Sequence, residues 1–231
     1  MKRICSICAR KGSSEVPNKN IAYINGKPLI AYSIMQAINT NIFDEVVISS
    51  DSDEILEISL KWGASMVVKR PSSMAQNNSA KLPAIQHCIK EALKIKGDVF
   101  STIVDLDVTS PLRNINDIIS AVNNLEKSES QNLISASPAR RSPYFNLIEL
   151  NKLGYAKLSK KLKQHIVCRQ DSPNCYDVNS SIYVWKRKGF FHQKKVLLKK
   201  TIIYEMPQDR SIDIDSYFDL KVVKLLMENE K

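Results

Sequence analysis

The sequence predicts an α/β fold: a mostly parallel sheet with helices on both faces. Three observations predict it. Short apolar runs such as "EVVIS" and "VFSTIVDL" read as buried strands. Each is followed by a stretch with helical periodicity, so the first 135 or so residues read as repeated βα units. Apolar residues make up 43% of 231, enough for one large domain or a core plus an insertion.

Ile4–Ala9 reads as the first strand. Pro28–Ile38 reads as a helix, with proline suited to its first turn. Glu45–Ser49 is the second strand. Ser52–Trp62 is a helix with Asp51 as the expected N-cap, Glu54 three residues on, and Gly63 as its stop. Ser65–Val68 is a short strand, Lys81–Ile95 a helix and Val99–Leu106 a fourth strand. Ile115–Lys127 is a helix capped by Asn114, with Ile115, Ile118, Ile119, Val122 and Leu125 on one face. After Leu133 the pattern changes. Strand-like runs (Leu133–Ala136, Phe145–Leu150, Ile182–Trp185, Ile202–Glu205) alternate with polar stretches. Residues 138–178 show little helical period and suit an arm, a lid or a dimer element. The chain is expected to close with a helix over Ser216–Glu228 that buries Phe218, Val222, Leu225 and Leu226. The resulting division is a core over 1–137, an insertion over 138–178 and a return to the core over 179–231.

The formal net charge of +10 favours anionic partners, among them nucleic acid, membrane surfaces and phosphorylated small molecules, or else describes a basic face. The lysines read as spread along the chain, with no nucleic-acid recognition motif, so nucleic acid is not expected. No run approaches the roughly 20 apolar residues of a membrane span. The apolar start is cut by Arg10 and Lys11, which argues against a secretory signal. Cys5 and Cys8 form a CxxC inside a strand, where residues three apart point to opposite faces. Together with Cys88, Cys168 and Cys175 they read as reduced thiols in a cytoplasm. His87, His165 and His192 are scattered and suggest no catalytic triad.

In open α/β sheets, ligands bind beyond the carboxyl ends of the strands. Unusual residues gather there. The loop "ARKGSSEVPNKN" supplies Arg10, Gly12, Ser13 and Lys19 within ten residues. It matches neither GxxxxGK[ST] nor GxGxxG, and composition alone leaves it either a phosphate loop or a solvated turn. In "SIDIDSYFDL", Asp213 and Asp215 are two apart and in an extended segment project to one side. Such a pair can hold Mg²⁺ together with substrate phosphates; equally, Asp215 can cap the last helix. Asp105 and Asp107 form a second such pair at a strand end.

These residues, in order, resemble the acylneuraminate cytidylyltransferase (CMP-sialic acid synthetase) family. That family opens on A-R-x-G-S-K-G-[IV]-P-x-K-N, here Ala9 to Asn20. "FDEVVISSDSDEI", "VVKRP", "TSPLR", "VNSSIYVW" and "SIDIDSYFDL" follow in the family's order, so the resemblance spans roughly the whole chain. It implies a Rossmann-like nucleotidyltransferase fold and a Mg²⁺-dependent attack of a nine-carbon α-keto acid sugar on CTP, giving CMP-sugar and pyrophosphate. It implies nucleotide contacts from Arg10, Gly12, Ser13, Lys19 and Asn20, with Arg70 and Ser79 bordering the cytidine. Asp107, Thr109, Ser110, Arg169, Asn179 and Tyr183 would face the sugar. Asp213 and Asp215 would hold Mg²⁺ and, with Arg10 and Lys19, form the catalytic set. A homodimer is implied, with 138–178 reaching into the partner's site.

Three departures from the family pattern stand out. Ser14-Glu15 replaces Lys-Gly in the first loop. Asp107 stands where sialic-acid enzymes commonly carry Gln, and Asp177 where an Arg often precedes the later motif. "LDVTSPLR" and "YDVNSSIYVW" resemble the branch acting on di-N-acylated sugars such as legionaminic acid. The alternatives are a synthetase for the eight-carbon sugar Kdo, whose opening motif fits less well, and a degenerate homologue used for binding or dimerisation.

Overall fold

The computed structural model describes residues 1–12, 15–77, 79–97, 99–162 and 168–228, with Arg169 described in its backbone alone. β1 (Arg3–Cys8) leads through the first loop to a small hairpin, β2 (Tyr23–Ile24) and β3 (Lys27–Pro28). Then come α1 (Leu29–Asn39), β4 (Glu45–Ser50), α2 (Asp53–Lys61), β5 (Met66–Lys69), α3 (Lys81–Lys96), β6 (Thr102–Leu106) and α4 (Ile115–Lys127). β7 (Asn132–Pro138), β8 (Ile148–Leu150), β9 (Ala156–Leu158), β10 (Tyr176–Lys186), β11 (Thr201–Glu205) and α5 (Tyr217–Glu228) complete the chain.

Seven strands form one sheet in the order β5-β4-β1-β6-β10-β7-β11. Neighbours run parallel except at β10, which lies antiparallel to both β6 and β7. The expected mostly parallel sheet is therefore present, with one reversed strand inserted near its middle. Strand and helix ends fall within three residues of expectation in the βα half. Side chains from α1, α2, α4 and α5 pack on one face against Cys5, Ile7, Val46, Ile48 and Val104. α3 covers the other face, where Ile4, Val47 and Ile103 meet fully buried Trp185 and Phe190. Cys5 and Cys8 fall into these two separate layers, as the strand period requires.

Several local expectations are corrected. Asp51 does not cap α2: Ser52 precedes the helix, and the Asp51 carboxylate accepts the Lys11 N–H at 2.8 Å. The first loop thus takes a carboxylate from the neighbouring strand end. The buried stripe of α5 is Leu220 and Val223, with Met227 packed partly against the core, while Phe218 and Leu225 face outward. The i, i+3, i+7 set won because residues 212–214 already fill the adjoining side of the core. The run 145–150 is strand over Ile148–Leu150 alone. The expected boundary at 178 falls inside β10, because Tyr176–Val178 pairs with Ala136–Pro138. The hairpin before α1 was not foreseen; its turn, Asn25-Gly26, has φ of 47° and 76°, the left-handed pair that an Asn-Gly turn supplies. The basic charge is not evenly spread either. Residues 186–200 hold seven Lys or Arg and no acid. They run from the end of β10, beside the start of β6, to the start of β11, beside the start of β7, at the amino edge of the sheet.

Asn114 caps α4 as expected, within a reciprocal box: its side chain accepts the Asp117 N–H and Asp117 accepts the Asn114 N–H, both at 2.9 Å. Asp117, 1% exposed, also takes two N–H groups of Arg210 at 2.9 and 3.0 Å and the Tyr204 hydroxyl at 3.1 Å. Removing the cap alone (Asn114→Ala) is expected to cost about 1 kcal/mol. Asp117→Ala also strands Arg210 and should cost about 3 kcal/mol or more. Chemical denaturation of the two variants checks the ratio.

Candidate active site

β4 and β5 lie on one side of β1, and β6 lies on the other. The chain order therefore reverses between β1 and β6, and the loops leaving their carboxyl ends part to leave a crevice. A cleft of about 270 Å³ opens there. A second hollow of about 430 Å³ sits at the root of the arm, lined by Pro138, Arg141, Pro173 and Tyr176 among others. The first is the one at the crevice, and it collects residues from the loops that follow β1, β5 and β6.

The loop after β1 gives the cleft its cationic rim. The Arg10 guanidinium donates to Gln76 O at 3.0 Å and Asn77 Oδ1 at 2.9 Å, and the Asn20 amide donates to Arg10 O at 2.8 Å. Gly12 lines the cleft with no atom within 4 Å of where a Cβ would stand. The Lys19 ammonium donates to Ile214 O and sits 3.5 Å from Asp215 Oδ1. Arg70, nearly buried, is fixed by Ser49 O at 2.8 Å and Ser49 Oγ at 3.2 Å, yet still reaches the cleft. Ser79 accepts the Gln76 N–H at 3.1 Å and shapes the loop beside it. Glu15 is exposed. Ser13, Ser14, His165 and the Arg169 side chain lie outside the described residues.

The acidic side comes from β6 and the segment before α5. Asp105 is fully buried; Ser6 donates to its Oδ1 at 2.7 Å, and burial drives its pKa up. Asp107 is held down to about 2: burial opposes its charge, but Lys81 and Thr109 outweigh that. Lys81 lies 2.5 Å from Asp107 Oδ2 and 3.2 Å from Asp105 Oδ2, and these two carboxylates more than reverse the effect of burial on its ammonium. Ile214, fully buried, anchors the Asp213–Asp215 segment, and its N–H donates to Thr109 O at 2.9 Å. Asp213 is raised to about 6, first by burial and then by the charges of Asp107 and Asp215. Its Oδ1 is buried without a partner. Asp215 is mostly exposed. It does not cap α5, because Ser216 and Asp219 do so reciprocally: Asp219 accepts the Ser216 N–H at 2.8 Å, and Ser216 Oγ accepts the Asp219 N–H at 3.3 Å. Both carboxylates of the pair therefore face the cleft unencumbered by a helix terminus.

The structure gathers Arg10, Gly12, Lys19, Asn20, Arg70, Ser79, Asp107, Thr109, Asp213 and Asp215 around one cleft. It places three expected sugar contacts, Ser110, Asn179 and Tyr183, off the cleft lining. Ser110 is fully buried and donates to Asn179 O at 3.3 Å. Asn179 sits in a bulge of β10, where residues 179–182 oppose Ser135 alone. Its amide accepts from Ser135 at 2.6 Å and donates to Ser211 at 2.9 Å, so it serves the bulge. Tyr183 is nearly buried beneath Lys81, 4.4 Å from its ring centre. Lys81, Gln76 and Asn77 line the cleft without having been singled out. Lys81 did carry a signal: a lysine at the first position of a helix opposes the helix dipole.

Comparison with known proteins identifies the family and the fold. A family model described as "Cytidylyltransferase" matches residues 4–231. Post-translational flagellin modification protein B of Campylobacter coli is 40% identical over 98% of this chain and 95% of its own length. A CMP-N,N'-diacetyllegionaminic acid synthase of Campylobacter jejuni is 41% identical over 97% of this chain and 94% of its own. Among solved structures, a CMP:2-keto-3-deoxy-manno-octonic acid synthetase complexed with CTP superposes with a TM-score of 0.72 over the full length of both chains; at 15% identity it attests the fold alone. With a family match over nearly every residue and relatives near 40% identity, the chain belongs to the cytidylyltransferase family.

Proposed function

We propose that this chain activates a nine-carbon α-keto acid sugar of the legionaminic type with CTP, releasing CMP-sugar and pyrophosphate. The observation that carries the reading is one cleft that brings Arg10, Lys19 and Arg70 together with Asp213 and Asp215. The anomeric hydroxyl oxygen attacks the α-phosphorus, and the bond to the bridging oxygen of the pyrophosphate breaks. Phosphoryl chemistry of this kind needs alignment and charge neutralisation more than covalent help from the protein. Arg10 and Lys19 would face the departing pyrophosphate, and Arg70 with the Ser79 loop would border the cytidine. The substrate class draws on the legionaminic acid synthase relative and on Asp107, an acceptor where a Gln would offer both a donor and an acceptor.

Mg²⁺ would sit at Asp213 and Asp215. The fit rests on the buried, partnerless Oδ1 of Asp213 beside a second carboxylate. No cluster of three or more His, Cys, Asp or Glu suited to a metal occurs among the described residues, so an ion here would complete its shell with substrate phosphates and water. Bound there, Mg²⁺ supplies charge neutralisation and lowers the pKa of a coordinated hydroxyl. A second copy of the chain would cover the arm: Ile148, Leu150, Leu153 and Tyr155 are exposed on and beside a two-stranded hairpin too small to be stable by itself. A cytoplasmic site suits a CTP-using enzyme with free cysteines, and no helix among the described residues is long and apolar enough to cross a membrane.

A pyrophosphate-release assay with CTP and a panel of legionaminic acid, N-acetylneuraminic acid and Kdo tests the reading. Turnover should be highest with legionaminic acid; activity with Kdo alone would sink it. Replacing Asp213 by Asn should lower turnover on the order of 100-fold. The same change should stabilise the metal-free fold. Asp213 titrates near 6 when folded against 3.8 in the unfolded chain, so the folded state loses stability as pH rises from about 4 to 6. With chelator at pH 7 the Asn variant should therefore be more stable by about 1–3 kcal/mol, with the difference vanishing below pH 4. Thermal melts across pH check this. Paired Ile148→Lys and Leu150→Lys changes should convert the dimer to monomer in sedimentation, with each monomer still folded.

A further inference from the structure

Lys81 opens α3, where free backbone N–H groups and the helix dipole disfavour a cation. Its ammonium has three donors. It donates to Asp107 Oδ2 at 2.5 Å, forms an ion pair with Asp105 Oδ2 at 3.2 Å and lies over the Tyr183 ring, with its centre at 4.4 Å. Asp107 accepts from Lys81 at Oδ2, and its Oδ1 accepts the Thr109 N–H at 3.2 Å and hydroxyl at 3.0 Å. A carboxylate offers about four acceptor positions, so one remains. The side chain is 21% exposed and lines the cleft.

We propose that Lys81 is a positioning residue that locks Asp107 as an acceptor-only group, and that Asp107 thereby selects sugars presenting a hydroxyl or amide N–H at the facing position. This inference rests on the sugar-activating reading of the cleft. Its physical basis is the cost of an unmatched buried polar group: a substrate that offers a carbonyl or a bare methylene there leaves an ionised carboxylate desolvated and unpaired. Asp105 explains why the ammonium stays. Fully buried, it ties Lys81 to the sheet through Ser6 and β6, so the ion pair cannot swing toward the nucleotide.

The test separates positioning from simple charge balance. Asp107→Asn keeps the shape and leaves the Lys81–Asp105 pair in place. Its sugar KM should rise about tenfold or more, while the CTP Kd measured by calorimetry stays within about twofold. Against a series of deoxy sugar analogues, the wild type should penalise the loss of one particular donor, and the Asn variant should lose that penalty. The double variant Lys81→Met with Asp105→Asn removes the ammonium together with its buried counter-charge and should raise the sugar KM with CTP affinity unchanged. An Asn variant with wild-type sugar KM, or with sugar KM and CTP Kd rising in parallel, overturns the proposal. So does a folded double variant with wild-type sugar KM. If the double variant does not fold, the Asp107→Asn arm decides alone. A wild type that binds CTP and turns over none of the acids sinks the sugar-activating reading itself.

Discussion

The geometry of the cleft depends on one buried guanidinium. Arg113 is 1% exposed and donates to Ser181 O and Oγ, to Ser33 Oγ and to Asp107 O. It thus joins β10, α1 and the loop after β6. Burying a cation among neutral acceptors carries a cost, visible in its pKa, which burial lowers to about 10. Each acceptor it meets is a carbonyl or a hydroxyl. Ser33 also donates to Asp107 O at 2.8 Å, so both lone pairs of that carbonyl are occupied. Residue 107 is thereby held from behind, which lets its carboxylate be aimed forward.

From there the order propagates across the mouth of the cleft. Asp107 binds Thr109 through its carboxylate, and Thr109 O takes the Ile214 N–H. Ile214 O then accepts the Lys19 ammonium from the first loop. The peptide groups on either side of Ile214 are held by partners from opposite rims, and its side chain is buried. Asp213 and Asp215 flank that clamped residue. The Asp215 N–H is further held by Asp219 Oδ2 at 3.2 Å, so the cap of α5 also fixes the segment.

How much of this could be read from the sequence varies with the range of the interaction. The βα half was legible because its periods are local; α4 and its Asn114 cap follow from a 3.6-residue pattern and a four-residue box. The reversed β10 was not, since its pairing with β6 and β7 joins residues many positions apart and its strand run is interrupted by the bulge at 179–182. Motifs located the cleft but misplaced three of its members, Ser110, Asn179 and Tyr183. In "TSPLR" and "VNSSIYVW" the polar residues look alike in sequence, yet Thr109 lines the cleft while Ser110, Arg113, Asn179 and Ser181 are spent inside, satisfying the bulge and the buried guanidinium. Lys81 escaped because its meaning lies in partners at 105, 107 and 183. The stripe of α5 was misassigned because an apolar residue on a C-terminal helix does not by itself show which face the core needs.

Net charge misleads about the cleft. The positive excess is concentrated over residues 186–200 at the amino edge of the sheet, whereas the cleft lies at the carboxyl edge. There Arg10, Lys19, Arg70 and Lys81 meet Asp105, Asp107, Asp213 and Asp215, with Lys19 beside Asp215 and Lys81 beside Asp105 and Asp107. Lys81 is consumed by Asp105 and Asp107. Arg10 and Arg70 have neutral oxygens as their partners, and Asp213 keeps an unmatched oxygen. A site balanced by pairing every charge would be stable and inert. Burying Asp213 close to Asp107 and Asp215 raises its pKa toward neutral and weakens the free protein. The stability lost in the free cleft is the electrostatic preorganisation that a nucleotidyl transfer requires.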